Sequence, residues 1–212
     1  MNWFWQFCCA ATASVLLLAA PEASIAAAPP PAAALSPQDS AELQRIATYL
    51  QGIRTMTATF RQAVTNGGTA SGHVWVQRPG KMRFQYDPPN ELLMFADAFY
   101  VYSWDPELKS MNKVGLRSTP AWFLLRDPIS FAGDVVVTRF EHSGNTVRVT
   151  VVQAAEPDQG SLTMEFTENP LVLRQWTVVD QKGRTTIVAL SDLQFGMALD
   201  AKLFQYQDPY SR

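Results

Sequence analysis

Gly72-His-Val-Trp-Val-Gln-Arg-Pro-Gly-Lys-Met-Arg-Phe-Gln-Tyr86 decides the fold. It reads as two short strands around a Pro79-Gly80 turn, because proline presets one turn dihedral and glycine supplies the other. Side chains along a strand point alternately to opposite faces. Val74, Val76 and Arg78 therefore share one face of the first strand. Met82, Phe84 and Tyr86 share one face of the second, with Arg83 and Gln85 on the other. An arginine in register with an apolar face is unusual, since a buried charge is costly unless paired.

Strand signals continue on both sides of this hairpin. Segments 57–65, 72–77, 82–86, 92–96, 100–104 and 110–114 follow at short intervals, and a second series covers 135–141, 146–153, 161–167, 172–180 and 185–193. Ser143-Gly-Asn145 and Gln181-Lys-Gly183 suit antiparallel hairpins. Leu162, Met164 and Phe166 oppose Thr163, Glu165 and Thr167, and Val147, Val149 and Val151 form another apolar row. The pattern predicts a mainly β protein with a few helices (α+β), built on one strongly curved antiparallel sheet of about eleven strands.

Two helices interrupt the strands. Ser36 is a good N-cap, Pro37 fits the first turn and Asp39 stands where a capping-box acid would. Leu43, Ile46, Ala47 and Leu50 make one apolar stripe, and Gly52 is a natural stop. Further on, 119–128 reads as a short helix with Thr119 as cap, Pro120 in the first turn and Pro128 as stop. It is too short to stand alone, so it must pack on the concave face of the sheet. Two helices over a sheet either complete a filled core or cover a cavity. Residue pattern by itself favours the filled core.

The chain has 212 residues, enough for one domain and a leader. The apolar run 7–20 is short for a membrane span, and small residues follow at 23–28, so 1–28 is expected to be a cleaved signal peptide. Residues 29–36, rich in Pro and Ala, read as a linker, leaving 37–212 as the domain. Both cysteines, Cys8 and Cys9, lie in the leader and precede its apolar run. The mature chain is therefore expected to need no disulfide and to carry no thiol nucleophile or lipidation cysteine. The formal net charge is −2, and only Glu22 is charged within the leader, which leaves −1 for the rest. That balance gives no electrostatic footprint for nucleic acid and little attraction to anionic lipid.

Catalytic chemistry is poorly represented. His73 and His142 lack metal-ligand spacing and read as surface residues. Phosphate loops, nucleophile elbows and zinc motifs are missing from the sequence, and Asp87-Pro-Pro89 and Asp105-Pro106 are turn chemistry. No enzyme activity, cofactor or metal is expected. What the chain does offer is apolar and adaptable surface: Met82, Phe84, Tyr86, Leu92, Met94, Phe95, Met164 and Phe166. Any one of these fits an ordinary aromatic core equally well.

The hairpin is flanked by Phe60-Arg-Gln62 and Val64-Thr-Asn-Gly67 upstream, and by Ala96-Asp97 and Trp104-Asp-Pro106 downstream. This ordered set, dense over 53–116, resembles the bacterial LolA family of periplasmic outer-membrane lipoprotein carriers. The resemblance implies an open half-barrel whose helices form a lid over an apolar cavity. It implies a soluble periplasmic chaperone that takes up lipoprotein acyl chains and carries them from the inner to the outer membrane. The implied partner is an inner-membrane ATP-driven lipoprotein-releasing complex; the outer-membrane acceptor is not specified, and a monomer is expected. Cavity and lid would use Val74, Val76, Arg78, Phe84, Tyr86, Phe95, Trp122, Phe123, Met164 and Phe166. Arg78 matches an arginine that ties the helices down in the closed state through their carbonyls. The turn Pro79, Gly80, Lys81, Met82 and Arg83 matches a loop that contacts the releasing complex. The family often has an aromatic where this chain has Met82; standing beside Lys81 and Arg83, Met82 is expected at the exposed tip or edge of the hairpin. Some members carry a longer tail after the position of Phe204.

Ligand scale fits a large dry site. Burying one methylene is worth about 0.8 kcal/mol, so a chain of about 15 methylenes represents roughly 12 kcal/mol, and extraction from a bilayer must be driven from outside. Two other readings remain: a glycolipid-binding or lipid-sensing regulator on the same fold, and a plain sheet-rich interaction module without a cavity.

Overall fold

The structure is a computed structural model that describes residues 31–90, 92–105 and 109–205. The leader and the tail beyond residue 205 lie outside the described residues.

Helix α1 (Pro37–Gly52) leads into eleven strands. These are β1 (Thr55–Val64), β2 (Thr69–Gln77), β3 (Lys81–Tyr86), β4 (Leu93–Asp97), β5 (Tyr100–Asp105) and β6 (Ser110–Gly115), then β7 (Val135–Ser143), β8 (Thr146–Gln153), β9 (Gly160–Glu168), β10 (Leu171–Asp180) and β11 (Thr185–Phe195). All eleven predicted strands are present, with ends moved by a few residues. They form one antiparallel sheet in the order β6-β5-β4-β3-β2-β1-β11-β10-β9-β8-β7. Two meanders thus meet where β1 pairs with β11, and β6 and β7 are left as the two edges of an open sheet.

Local chemistry starts α1 as expected. Ser36 Oγ accepts from Asp39 N at 3.1 Å while Asp39 Oδ2 accepts from Ser36 N at 3.0 Å, a complete capping box. The helix buries Leu43, Ile46 and Leu50 against the sheet. The preceding linker is partly docked as well: Ala33 N donates to Val137 O at 2.8 Å, and Leu35 packs against the core.

The second helix departs from expectation. Only Trp122–Leu125 is helical (α2), and Ala121 is its N-cap with no side-chain bond. Thr119 does not cap it. Its hydroxyl donates to Leu116 O at 2.8 Å, closing a 3-10 turn over Leu116–Ser118 instead. The backbone thus satisfies its polar groups in two short pieces rather than one helix.

The core is lopsided. Beneath α1, Val147, Val149, Leu162, Met164 and Phe166 are fully buried, and Tyr49 meets Phe166 edge-on at 6.1 Å. Each such side chain contributes about 1.5–3 kcal/mol by leaving water. Over β4–β6 no residue of α1 lines the sheet's inner face, and the short α2 segment leaves space.

Candidate functional site

That space is a cavity of about 290 Å³. Its walls are apolar: Met82, Phe84 and Met94 on one side, Trp176, Val178 and Val188 on the other, with Leu124 of α2 above. The few polar groups include Gln62 and Tyr86, which satisfy each other: Tyr86 OH donates to Gln62 Oε1 at 2.9 Å. Burial pushes the Tyr86 phenol up, so it stays a neutral donor.

A second void, about 30 Å³, lies under Arg78 at the end of α1. Met82, Leu124 and Trp176 line both spaces and form the septum between them.

Arg78 is buried, as its parity with Val74 and Val76 predicted, and is 7% exposed. Its Nε donates to Ile53 O at 2.7 Å. One terminal nitrogen donates to Leu50 O and Ile53 O, and the other reaches Arg126 O at 3.5 Å. A guanidinium carries five donors and no acceptor, so several carbonyls share it. Burial, with Arg54 adding repulsion, pulls its pKa down to about 10. It stays cationic at neutral pH.

Around Arg78 the end of α1 is joined to the segment after α2. Gln51 Nε2 donates to Asp127 Oδ1 at 2.9 Å, Arg54 pairs with Asp127 Oδ2 at 2.6 Å, and Ile129 N donates to Gln51 Oε1 at 2.7 Å. Gln51 and then Arg54 hold the Asp127 carboxyl below the usual carboxylate range. Gly80 N donates to Leu125 O at 2.8 Å, which pins the β2–β3 turn to the lid.

The expected cavity and lid residues divide. Phe84 and Tyr86 line the large cavity, and Val76 and Arg78 line the small void. Val74, Met164 and Phe166 are fully buried packing. Trp122 and Phe123 belong to the lid but turn toward Val135, Val151 and Val152; Leu124 and Ala121 face the cavity instead.

Two expectations are corrected. Phe95 is not in the cavity: it pairs with Arg83 and Tyr102, stacks on Tyr102 at 4.7 Å and stands on the outer face. Strand β4 turns Met94 and Ala96 inward, so Phe95 must point outward. Met82 is not an exposed tip. It is 5% exposed and faces inward, in register with Val76. Of the turn residues, Pro79 is exposed, Lys81 half-buried and Gly80 buried. Arg83 is half-buried on the outer face and donates to Leu203 O at 3.1 Å.

Sequence reasoning missed Gln62, Val101, Leu124, Trp176, Val178 and Val188 as lining. Val101 follows once it is paired with Ala96, but the pairing is not visible in the sequence. Trp176 was hidden by a bulge between Leu173 and Gln175 that resets alternation, so Leu173 and Trp176 both face inward.

An open sheet with a hollow concave face, roofed by a short helix that an arginine ties to the main helix, defines a class of apolar-guest carriers. The chain belongs to the LolA family of outer-membrane lipoprotein carrier proteins: the family described as "Outer membrane lipoprotein carrier protein LolA" matches residues 51–207. It is 30% identical over 180 residues to the outer-membrane lipoprotein carrier protein of Pseudomonas paraeruginosa, covering 81% of this chain and 86% of that one. The same-named protein of Legionella pneumophila (strain Corby) is 30% identical over 180 residues, with 81% and 87% covered. Among solved structures, a LolA superfamily protein from Nitrosomonas europaea aligns over 77% of this chain and 97% of its own, at 11% identity and a TM-score of 0.42. The family is one of carriers rather than enzymes, and membership implies a periplasmic protein.

Proposed function

We propose that the large cavity takes up the acyl chains of lipoproteins and that Arg78 is the latch of its lid. The observation that carries this is an apolar cavity of about 290 Å³ roofed by a segment that Arg78 ties to α1. A cavity of about 290 Å³ is small beside several acyl chains of about 15 methylenes each. Loading therefore has to lift α2, and lifting α2 has to break the bonds of Arg78 and Asp127. A ligand shifts such a balance only by binding the open state better, which a dry surface for several chains supplies.

Export by cleavage within 26–28, action as a monomer, and loading by an inner-membrane ATP-driven releasing complex belong to the same reading. Pro79 and Lys81 remain available to touch that complex; Met82 does not. The test is to isolate the native complex from the cell envelope and identify its lipid by mass spectrometry. Bound lipoprotein supports the reading. Free glycolipid would move the protein to a different cargo, and failure to take up a dye that fluoresces in apolar cavities would sink the carrier role.

A further inference from the structure

We propose that the β4–β5 tip and edge strand β6 form a rim that lays the cavity mouth against an anionic phospholipid surface. This rests on the carrier reading above. Phe99, at the tip, is 76% exposed, the highest value of any large apolar side chain among the described residues. Tyr100 and Val114, beside it, are 40% and 50% exposed.

The tip is a fixed structure. Asp97 Oδ1 accepts from Phe99 N at 3.0 Å and Tyr100 N at 2.9 Å, and Asp97 Oδ2 accepts from Tyr102 OH at 2.9 Å. Phe99 O accepts from Leu116 N at 2.8 Å, and Ala98 N donates to Gly80 O at 2.9 Å. Tight turns are normally made of Gly, Asn or Asp. A rigid turn that holds a phenyl ring in water gains nothing for folding, so the ring points to a contact made outside the chain.

The rim faces two ways. Val101 and Val114 line the cavity, and Tyr100 and Lys113 lie on the opposite face because strand neighbours alternate. Lys113 Nζ sits 3.6 Å from the Tyr100 ring centroid and 5.5 Å from that of Tyr102. Lys81 is Asp97's partner across β3–β4, and exposed Arg117 follows β6. Cations at 81, 113 and 117 thus flank the tip, and Asp97 is already engaged by three donors.

The chain's net charge of −2 argues against anionic lipid, but a surface senses the charges within a Debye length of the contact, not the total. Aromatic rings beside lysines are the composition that settles at a bilayer interface. Because Val114 belongs to both rim and cavity, an acyl chain leaving the mouth there passes into lipid without crossing water.

Co-flotation with vesicles tests this. Purified protein is mixed with vesicles of equal parts phosphatidylglycerol and phosphatidylcholine, or of phosphatidylcholine alone, at low and high salt. Wild type should float with the anionic vesicles and less so at high salt. Phe99→Ser should weaken partitioning by roughly tenfold, the scale of returning one phenyl side chain to water. Lys113→Glu should remove the preference for phosphatidylglycerol. Neither side chain lines the cavity, so both variants should take up the cavity dye like wild type.

Wild type that ignores anionic vesicles, or Phe99→Ser that floats unchanged, overturns the proposal. If Phe99→Ser keeps vesicle binding but no longer receives cargo from the releasing complex, the rim is a protein dock and the proposal is likewise overturned. Loss of dye uptake by wild type would instead count against the carrier reading.

Discussion

Replacing Arg78 with leucine removes the shared donor of Leu50 O, Ile53 O and Arg126 O. The Arg126 bond is long at 3.5 Å, so two carbonyls carry most of the contact. Bonds from a charged group contribute about 1.5–3 kcal/mol each, or about 3–6 kcal/mol together. Opposing this, a guanidinium held at about 10 instead of 12.5 has lost roughly 3 kcal/mol of preference for its charged form. At the middle of that range on the order of 1.5 kcal/mol remains, roughly tenfold in the closed-to-open ratio. Leucine suits the apolar surroundings of Met82, Leu124 and Trp176, so the fold should survive. Leu50 O keeps its bond from Ile53 N, which leaves Ile53 O and Arg126 O to find water as the lid loosens. Arg78→Leu should therefore bind lipoprotein or cavity dye roughly tenfold more tightly and pass cargo to outer membranes poorly. Arg78→Lys, with one compact ammonium, should fall between. The assay follows lipid bound and lipoprotein released, side by side. If Arg78→Leu folds, loads and releases as wild type does, the bonds are packing detail and the latch argument fails.

Other outcomes follow from particular contacts. His142 lies 2.7 Å from Glu168 and 3.3 Å from Asp39, and its pKa is raised, chiefly by Glu168. A raised folded pKa gives stability that is complete below the ordinary value and lost as pH rises through the raised one. The melting temperature should thus fall as pH rises above the ordinary histidine value of about 6.5, and His142→Gln should flatten that slope; an unchanged slope refutes the contact. At Gly72 an added Cβ would stand 2.0 Å from Gln85 O and 2.9 Å from Phe60. Gly72→Ala should cost about 2 kcal/mol or more and several degrees in a thermal melt; a melt like wild type would mean β2 and β3 are not so close. Met82→Ala should join the two voids, lower stability by about 2–5 kcal/mol and raise affinity for longer alkyl chains relative to shorter ones. Calorimetry with a chain-length series checks this, and a flat series would rule out the septum.

Much of the fold was legible because its signals are local. The Ser36–Asp39 box sets the helix start, and proline and glycine mark strand ends, as at Pro79-Gly80. Alternation also placed Arg78 inside, beside Val74 and Val76. Where alternation gave no preference, reading failed. Leu92-Leu-Met-Phe-Ala96 is apolar throughout, so nothing in it says that Met94 faces inward and Phe95 outward; pairing with Arg83 and Tyr102 decides that. Bulges between Ser191 and Gln194 of β11, Val137 and Arg139 of β7, and Leu173 and Gln175 of β10 reset the parity of three further strands. Lys81 and Arg83 beside Met82 suggest an exposed tip, although its parity with Phe84 and Tyr86 points inside.

By itself, then, the sequence determined the strands, the main helix, the buried arginine and the family resemblance, because each rests on residues close together in the chain. Only the tertiary structure decided that one half of the sheet is filled and the other hollow. Inward-facing side chains look alike in both halves. The difference is reach: α1 meets β7, β9 and β10 through Asp39, Arg45 and Tyr49, whereas α2 is one turn long and leaves about 290 Å³ open above Phe84 and Tyr86. Void volume depends on distances between elements far apart in the chain, which no local pattern encodes.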